Sequence, residues 1–162
     1  MHRGDAMEPL ADLYREHAPG ILGYLRRRFG RRLCADEVLQ ETFAQAAARP
    51  DRLAEAESPR AWLFAIARNV AVRDIRRCRP AAPLPEDLAA PLPDEADLRL
   101  ERMRRAVASL PVEKRETLEL RLRDGLTYDE IARVLCIPVG TVRSRLHHTV
   151  RELCEALRPP QP

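Results

Sequence analysis

A chain of 162 residues has room for one domain or two small ones. Its 45% apolar content can build a core, while 14 prolines against 6 glycines and only 4% aromatics point to helices separated by stiff connections. No secretory leader and no long apolar run is present, so the expectation is a cytoplasmic chain without membrane insertion.

The net charge of +3 hides a pattern: residues 1–80 carry +4, residues 81–98 carry −5 and residues 99–162 carry +4. Two basic lobes flank an acidic spacer. Lys114 is the only lysine. Arginine grips phosphate and guanine edges bidentately, which lysine cannot do. A GC-rich coding bias accounts equally well for the arginine count. The cysteines at 34, 78, 136 and 154 form no C-x-x-C pair and match no common zinc spacing. Neither a metal nor a cofactor is expected, including at the sequence-near group Cys136, His147, His148 and Cys154.

Taken in chain order, Leu10, Leu13, Tyr14 and His17 recur at helical spacing, and the Pro19-Gly20 step predicts that this helix stops there. Ile21, Leu22, Leu25 and Phe29 begin a second helix. Val38, Leu39, Thr42, Phe43 and Ala46 give a third, ending before Pro50. Ser58-Pro59 has the chemistry of an N-cap followed by proline at the first helical position, and the helix it opens runs to about Cys78. Leu63, Ile66, Ala67 and Val70 form one apolar face of that helix, and Phe64, Ala71 and Ile75 a second. A helix of this kind is buried over much of its circumference. Between the faces run Trp62, Asn69, Arg73 and Arg76. An aromatic beside Asn and Arg can stack an unpaired base while the cations hold the backbone. The same residues equally describe a core tryptophan with a solvated arginine edge.

Residues 79–95, RPAAPLPEDLAAPLPDE, read as a flexible Pro/Ala-rich acidic linker. The boundaries predicted from it are a helical domain over 8–79, a linker over 80–98 and a second domain over 99–158. In the second domain Leu100, Met103, Val107 and Leu110 make one stripe, and Leu118 and Leu122 anchor the next helix, which stops at Asp124-Gly125. No segment shows the period-2 alternation of a half-buried strand. The fold class is therefore all-α, with two small helical domains.

The most informative segment follows. Thr127-Tyr-Asp-Glu130 is a capping box, after which Ile131, Ala132 and Leu135 face the core and Cys136-Ile-Pro138 makes a turn. A second helix starts near Val139. On a helical wheel Val142, Leu146, Val150 and Leu153 share one arc, and Arg143, Ser144, His147, His148 and Arg151 the opposite one. Gly140 and Thr141 at its start are small enough for close approach to DNA. An ordinary solvated face mixes both signs of charge, yet no acidic residue occurs from Val139 to Arg151. That asymmetry predicts a helix-turn-helix with its second helix in a DNA major groove.

Together these residues resemble the extracytoplasmic-function (ECF) subfamily of bacterial RNA polymerase sigma factors, from about Leu10 to Leu157 and in the family's order. Asp36-Glu-Val-Leu-Gln-Glu-Thr-Phe43 is similar to the acidic helix that docks on the polymerase clamp. Arg60-Ala-Trp-Leu-Phe-Ala-Ile-Ala-Arg-Asn69 is similar to the segment that opens and reads the −10 element. Leu110-Pro-Val-Glu-Lys-Arg-Glu-Thr117 and Tyr128-Asp-Glu-Ile-Ala132 match the −35-binding domain, and Pro138-Val-Gly-Thr-Val-Arg-Ser-Arg-Leu-His147 is close to its recognition helix.

The resemblance implies a non-catalytic subunit that binds core RNA polymerase at its clamp and flap and directs initiation at specific promoters. Its implied polymerase contacts are Asp36, Glu37, Gln40, Glu41 and Phe43. Its implied −10 contacts are Trp62, Asn69, Arg73, Arg76 and Arg77, with the loop Pro50 to Glu57 capturing a flipped base. Its implied −35 contacts are Thr141, Arg143, Ser144, Arg145, His147, His148 and Arg151. It further implies an anti-sigma factor as partner. Two positions depart from the pattern. Cys136 stands where the family has glycine or a short polar residue, at a cost of about 1 kcal/mol if the backbone there has positive φ. Ala44-Gln-Ala-Ala-Ala-Arg49 is bland where relatives are aromatic. The competing readings are a stand-alone helix-turn-helix regulator, a helical adaptor that binds no DNA, and a thiol switch using Cys136 and Cys154. The switch would have to bridge a helix roughly 20–25 Å long at 1.5 Å per residue.

Overall fold

The computed structural model describes residues 7–77 and 95–158. Cys78 and the acidic linker up to residue 94 lie outside them. The described residues are helical apart from short turns. The first lobe contains α1 (Met7–Phe29), a 3-10 turn (Gly30–Arg32), α2 (Ala35–Ala47), α3 (Pro50–Glu55) and α4 (Pro59–Arg77). The second contains α5 (Glu95–Ser109), α6 (Val112–Leu122), α7 (Tyr128–Leu135) and α8 (Val139–Ala156). α5 thus begins inside the span 80–98 assigned to the linker.

Two expectations for the first lobe are corrected. The Pro19-Gly20 step does not end a helix, because α1 runs through Pro19. An interior proline loses one hydrogen bond and costs about 3 kcal/mol. Here the orphaned carbonyl belongs to Arg15, which like Pro19 faces solvent. The opposite face of the same helix buries Ala18, Ile21, Tyr24 and Leu25, and that burial outweighs the break. The Pro50–Glu57 loop is itself mostly a short helix, with Pro50 in its first turn.

α4 starts as its sequence predicts: the Ala61 N–H donates to Ser58 Oγ at 3.1 Å. It buries seven residues, Ala61, Leu63, Phe64, Ile66, Ala67, Val70 and Ala71, and so forms the centre of the lobe. Tyr24 packs on Phe64 with ring centroids 5.5 Å apart and on Phe29 at 6.1 Å.

The second lobe has a centre without aromatics, built on Leu118, Leu120, Leu126, Ile131, Val134, Val142 and Leu146. Several stripe positions differ from expectation. Leu100, Met103, Leu122 and Val150 are exposed, Leu122 to 72%. In their place Leu120 and Thr149 are fully buried. At about 100° per residue Val150 falls about 80° from Val142, but Thr149 only about 20°. The Thr149 hydroxyl donates to the Arg145 carbonyl at 2.7 Å, so the residue can enter the core with its polar atom satisfied. Leu122 is the last residue of α6, beyond the reach of its neighbours, and Gly125 turns the chain away at φ +66°.

The lobes are packed together, chiefly through α4 against α7. The helix-turn-helix is therefore seated on α4, the helix that carries Arg68, Arg73, Arg76 and Arg77.

Candidate nucleic-acid interface

The capping box at the start of α7 is formed. The Glu130 N–H donates to Thr127 Oγ1 at 3.2 Å, and the Thr127 N–H donates to Glu130 Oε2 at 2.8 Å. Ile131, Val134 and Leu135 anchor α7, with Ala132 half-buried. The helix ends in a left-handed residue, Cys136 at φ 55°, the one non-glycine residue of positive φ among those described. Its N–H donates to the Arg133 carbonyl at 3.3 Å and the Ile137 N–H to the Ala132 carbonyl at 3.0 Å. These are the two bonds of a Schellman turn. The turn fixes the angle at which α8 leaves.

On α8, Arg143, Ser144, His147, His148 and Arg151 are all exposed, and Thr141 and Arg145 are half-buried at the edges of the same arc. The imidazoles of His147 and His148 stack edge-on at 5.6 Å. Glu155 approaches this arc only at its far end, 3.8 Å from Arg151. The start of α8 carries no carboxylate in its first turn, and nothing lies within 4 Å of a side chain placed at Gly140. Free backbone N–H groups and the helix dipole make such an end a phosphate site.

On α4, Asn69, Arg73, Arg76 and Arg77 are exposed in the second half of the helix, and Trp62 is half-buried against the core. Arg68, Asn69, Val72, Arg73, Arg76 and Arg77 line an open cleft of about 470 Å³, and Cys136 of the second lobe shares its lining. On α2, Asp36, Glu37 and Gln40 are exposed and Glu41 is half-buried. Glu41 sits 3.9 Å from Arg73, so the acidic face of α2 and the basic strip of α4 share an edge. Phe43 needs correction as a surface contact. It is buried, edge-on to Tyr14 at 4.7 Å between ring centroids, and supports the acidic face from beneath.

The four sequence-near metal candidates do not converge: among the described residues no group of three or more His, Cys, Asp or Glu side chains is placed to hold a metal. Cys136 and Cys154 are exposed near opposite ends of α8, about 27 Å apart along the helix. A disulfide needs about 4.4–6.8 Å between Cα atoms.

The sequence reading missed an ionic cluster between the lobes. Glu116 of α6 is buried, and its Oε1 accepts from Tyr24 Oη at 2.7 Å and Arg68 Nε at 3.0 Å. Arg28 Nε lies 3.2 Å from the other oxygen, off the hydrogen-bond axis. Burial pushes this carboxyl up, but bonds from Arg68 and Tyr24 and the charges of Arg68 and Arg28 outweigh it and hold the group below its ordinary value. Burial and the charge of Glu116 drive the Tyr24 phenol well above its own. Arg27 grips Asp124 with both bonds, at 2.7 and 2.9 Å; burial nonetheless leaves Asp124 raised. At the rim Ser58 Oγ donates to Glu130 Oε1 at 2.7 Å and Arg133 pairs with Glu57. No local signal marked it: Glu116 is one of several charged residues on α6, and its partners Tyr24, Arg28 and Arg68 all lie in the other lobe.

Among the described residues no helix is long and apolar enough to cross a membrane. The sigma-70 region 2 model matches residues 13–80, and the sigma-70 region 4 model matches residues 100–153. The chain is 36% identical over 149 residues to the ECF RNA polymerase sigma factor SigL of Mycobacterium tuberculosis, covering 87% of this chain and 84% of that one. It is 32% identical over 158 residues to the ECF sigma factor RpoE of Cereibacter sphaeroides, covering 90% and 83%. Among solved structures, CnrH bound to the cytosolic domain of CnrY aligns at TM-score 0.63 with 25% identity, covering 93% of this chain and 88% of that one. The sigma factor RpoE from Bartonella quintana, in complex with the anti-sigma factor NepR, shares the fold at TM-score 0.65 and 21% identity, covering 95% and 99%. The acid-free stretch of α8 from Val139 to Arg151, the arginine strip of α4 and matches to both sigma regions in sequence order have one common explanation: this chain belongs to the ECF subfamily of bacterial RNA polymerase sigma factors.

Proposed function

We propose that the two lobes divide promoter recognition between them. The second lobe reads the −35 duplex. Arg143, Ser144, His147 and His148 face base edges from α8, and Thr141, Arg145 and Arg151 hold flanking phosphates. The first lobe holds the melted −10 strand along Asn69, Arg73, Arg76 and Arg77, with Trp62 bracing the strip from the core. Residues 50–57 stand at the end of α4 nearest Trp62 and supply the pocket for a flipped base. Core polymerase binds the exposed carboxylates and amide of α2, Asp36, Glu37 and Gln40, with Glu41 at the edge shared with Arg73. The domains are residues 8–79 and 99–158, joined by an acidic linker that threads toward the RNA exit path beside the flap. The chain supplies specificity and leaves the chemistry to the polymerase. It works in the cytoplasm under an anti-sigma factor that covers the same polymerase-binding surfaces.

The observation that carries this reading is the exposed, acid-free arc of α8 on a capped helix-turn-helix. Run-off transcription over fragmented genomic DNA, with core polymerase with and without the chain, tests it. Discrete new start sites sharing −35 and −10 elements are expected. Absence of new starts together with failure to bind core would overturn it in favour of a stand-alone regulator.

A further inference from the structure

The cleft on α4 has the volume of a small-molecule site and an unusual lining. At about 470 Å³ it falls within the range of about 300–1,000 Å³ typical of ligand pockets. Such pockets are mostly apolar. Here Val72 and Cys136 are the only apolar wall, against four guanidinium groups and the amide of Asn69. Arg73, Arg76 and Arg77 stand at i, i+3 and i+4, where like charges on a helix surface repel. Carboxylates offset only part of this charge. Arg68 donates to the buried Glu116 at 3.0 Å, and Arg73 lies 3.3 Å from Asp74 and 3.9 Å from Glu41. Arg76 and Arg77 are exposed, and among the described residues neither pairs with a carboxylate.

We propose that this cleft binds a short phosphoanhydride chain, either inorganic tripolyphosphate or the triphosphate of a nucleotide, held by Arg73, Arg76 and Arg77 with the Asn69 amide donating from the preceding turn. Each guanidinium presents a planar fork that takes phosphate oxygens two at a time. Three forks within little more than one turn suit phosphates joined directly to one another. A nucleic-acid strand instead spaces its phosphates with sugars and carries a base on each, and unpaired bases are held by aromatic faces. No aromatic lines this cleft. Trp62 lies about 10 Å back along α4 from Asn69, at 1.5 Å per residue, and is half-buried against the core. Cys136, from the turn between α7 and α8, adds a wall that favours a short occupant over a continuing strand. The site stands on this geometry alone. Its consequence rests on the sigma-factor reading: the same arginines belong to the strip assigned to the −10 strand, so a bound chain competes with single-stranded DNA.

The test titrates the full chain with sodium tripolyphosphate by isothermal titration calorimetry, without magnesium and at fixed ionic strength, because exposed charges are screened by salt. Sodium sulfate is the comparison anion. Tripolyphosphate should bind one to one and at least about tenfold tighter than sulfate, since each further charge-assisted hydrogen bond is worth about that factor. Arg76→Ala combined with Arg77→Ala should weaken it at least about tenfold for the same reason. Arg102→Ala combined with Arg104→Ala removes equal charge from exposed positions of α5 and should match wild type. Equal losses in the two double variants would mean that net charge alone attracts the anion, and would overturn the site. Tripolyphosphate bound no tighter than sulfate would do the same. Asn69→Asp keeps the side chain's shape and sets a carboxylate in the cleft, so it should also weaken binding; unchanged affinity overturns the proposal.

Adenosine 5′-triphosphate separates the two sources of the chain. The cleft offers a base no stacking face, so the nucleotide should bind no more tightly than tripolyphosphate. An affinity about tenfold higher would report a stacked base and overturn the assignment to the phosphate chain alone. Competition is read with a labelled single-stranded oligonucleotide of arbitrary sequence. Tripolyphosphate should raise its apparent Kd at constant ionic strength, and strand binding undiminished at saturating tripolyphosphate overturns the competition. The calorimetry uses neither polymerase nor promoter, and run-off transcription separately reports whether the sigma-factor reading stands, so the two can fail independently.

Discussion

α4 and α8 are the two helices whose arginines are assigned to DNA, and they present their charge in different ways. α4 buries seven of its residues and α8 only four. The first is a core helix that leaves a narrow polar strip near its C-terminal end. The second lies on a lobe surface and shows a wide arc from its first turn onward. A narrow strip beside aromatic packing suits a single strand whose backbone runs along it. A wide arc on a free helix fits a major groove. The cores beneath them differ in the same sense. Tyr24, Phe29, Phe43 and Phe64 are buried in the first lobe, whereas the single aromatic of the second, Tyr128, is exposed.

The largest way to break the comparison is to remove the aromatic centre. Phe64→Ala is expected to cost about 3–5 kcal/mol, read by urea denaturation. Leu126→Ala in the second lobe should cost about 2–5 kcal/mol by loss of a smaller buried side chain. If the interlobe packing couples the lobes, both variants will unfold in one transition. Two separated transitions would show that each lobe stands alone.

The DNA-facing helices are distinguished next. Arg143→Ala is expected to cost about 1–3 kcal/mol on the cognate −35 duplex and to relax specificity at one base pair. Arg76→Ala or Arg77→Ala should instead weaken single-strand binding about equally across sequences and lower the salt slope by about one phosphate. Equal, sequence-independent losses for all three would remove the distinction between a reading helix and a holding helix.

Acidification sharpens the role of the junction. Glu116 is held below its ordinary value of 4.5, so its contribution is present above that value and is lost as pH falls through the folded one. Glu130, depressed by Ser58 and Thr127 against its own burial, behaves alike. Asp124 is raised, so its contribution has the opposite sign and grows as the pH falls. Thermal unfolding of wild type should lose stability on acidification below pH 4.5. Glu116→Gln should lose less over the same interval, and an unchanged slope would show that Glu116 does not titrate with folding.

Much of this was legible in the sequence because local chemistry dictated it. Thr127 and Glu130 cap each other three residues apart, Ser58-Pro59 opens α4, and the missing acids from Val139 to Arg151 leave an uncontested basic face. What escaped depends on contacts distant in sequence. Pro19 reads as a break, and only the burial of Ile21, Tyr24 and Leu25 across the helix keeps α1 continuous. Leu122 and Val150 keep helical spacing, yet the partner that would cover them is absent at the helix end or lies some 80° away around the axis. Glu116 reads as one of several charges on α6, and its meaning comes from Tyr24, Arg28 and Arg68, all in the other lobe.

Cys136 gives the smallest effect and the most local one. It holds φ 55° at the α7 stop, a conformation that crowds any Cβ. The companion stop at Gly125, with φ +66°, uses the residue that carries no such penalty. Thiol packing does not offset the strain, since Cys136 is exposed and its sulfur reaches only the Arg133 carbonyl at 3.6 Å. Cys136→Gly should therefore stabilise the chain by about 0.5–1 kcal/mol, after the greater freedom glycine gives the unfolded state. Thr127→Ala, at the other end of the same helix, should destabilise it by about 1 kcal/mol through loss of the cap. The two effects act on one short helix from opposite ends and should add, because they share no partner. A Cys136→Gly chain no more stable than wild type would mean that the thiol's place in the lining of the α4 arginine cleft is worth as much as the strain.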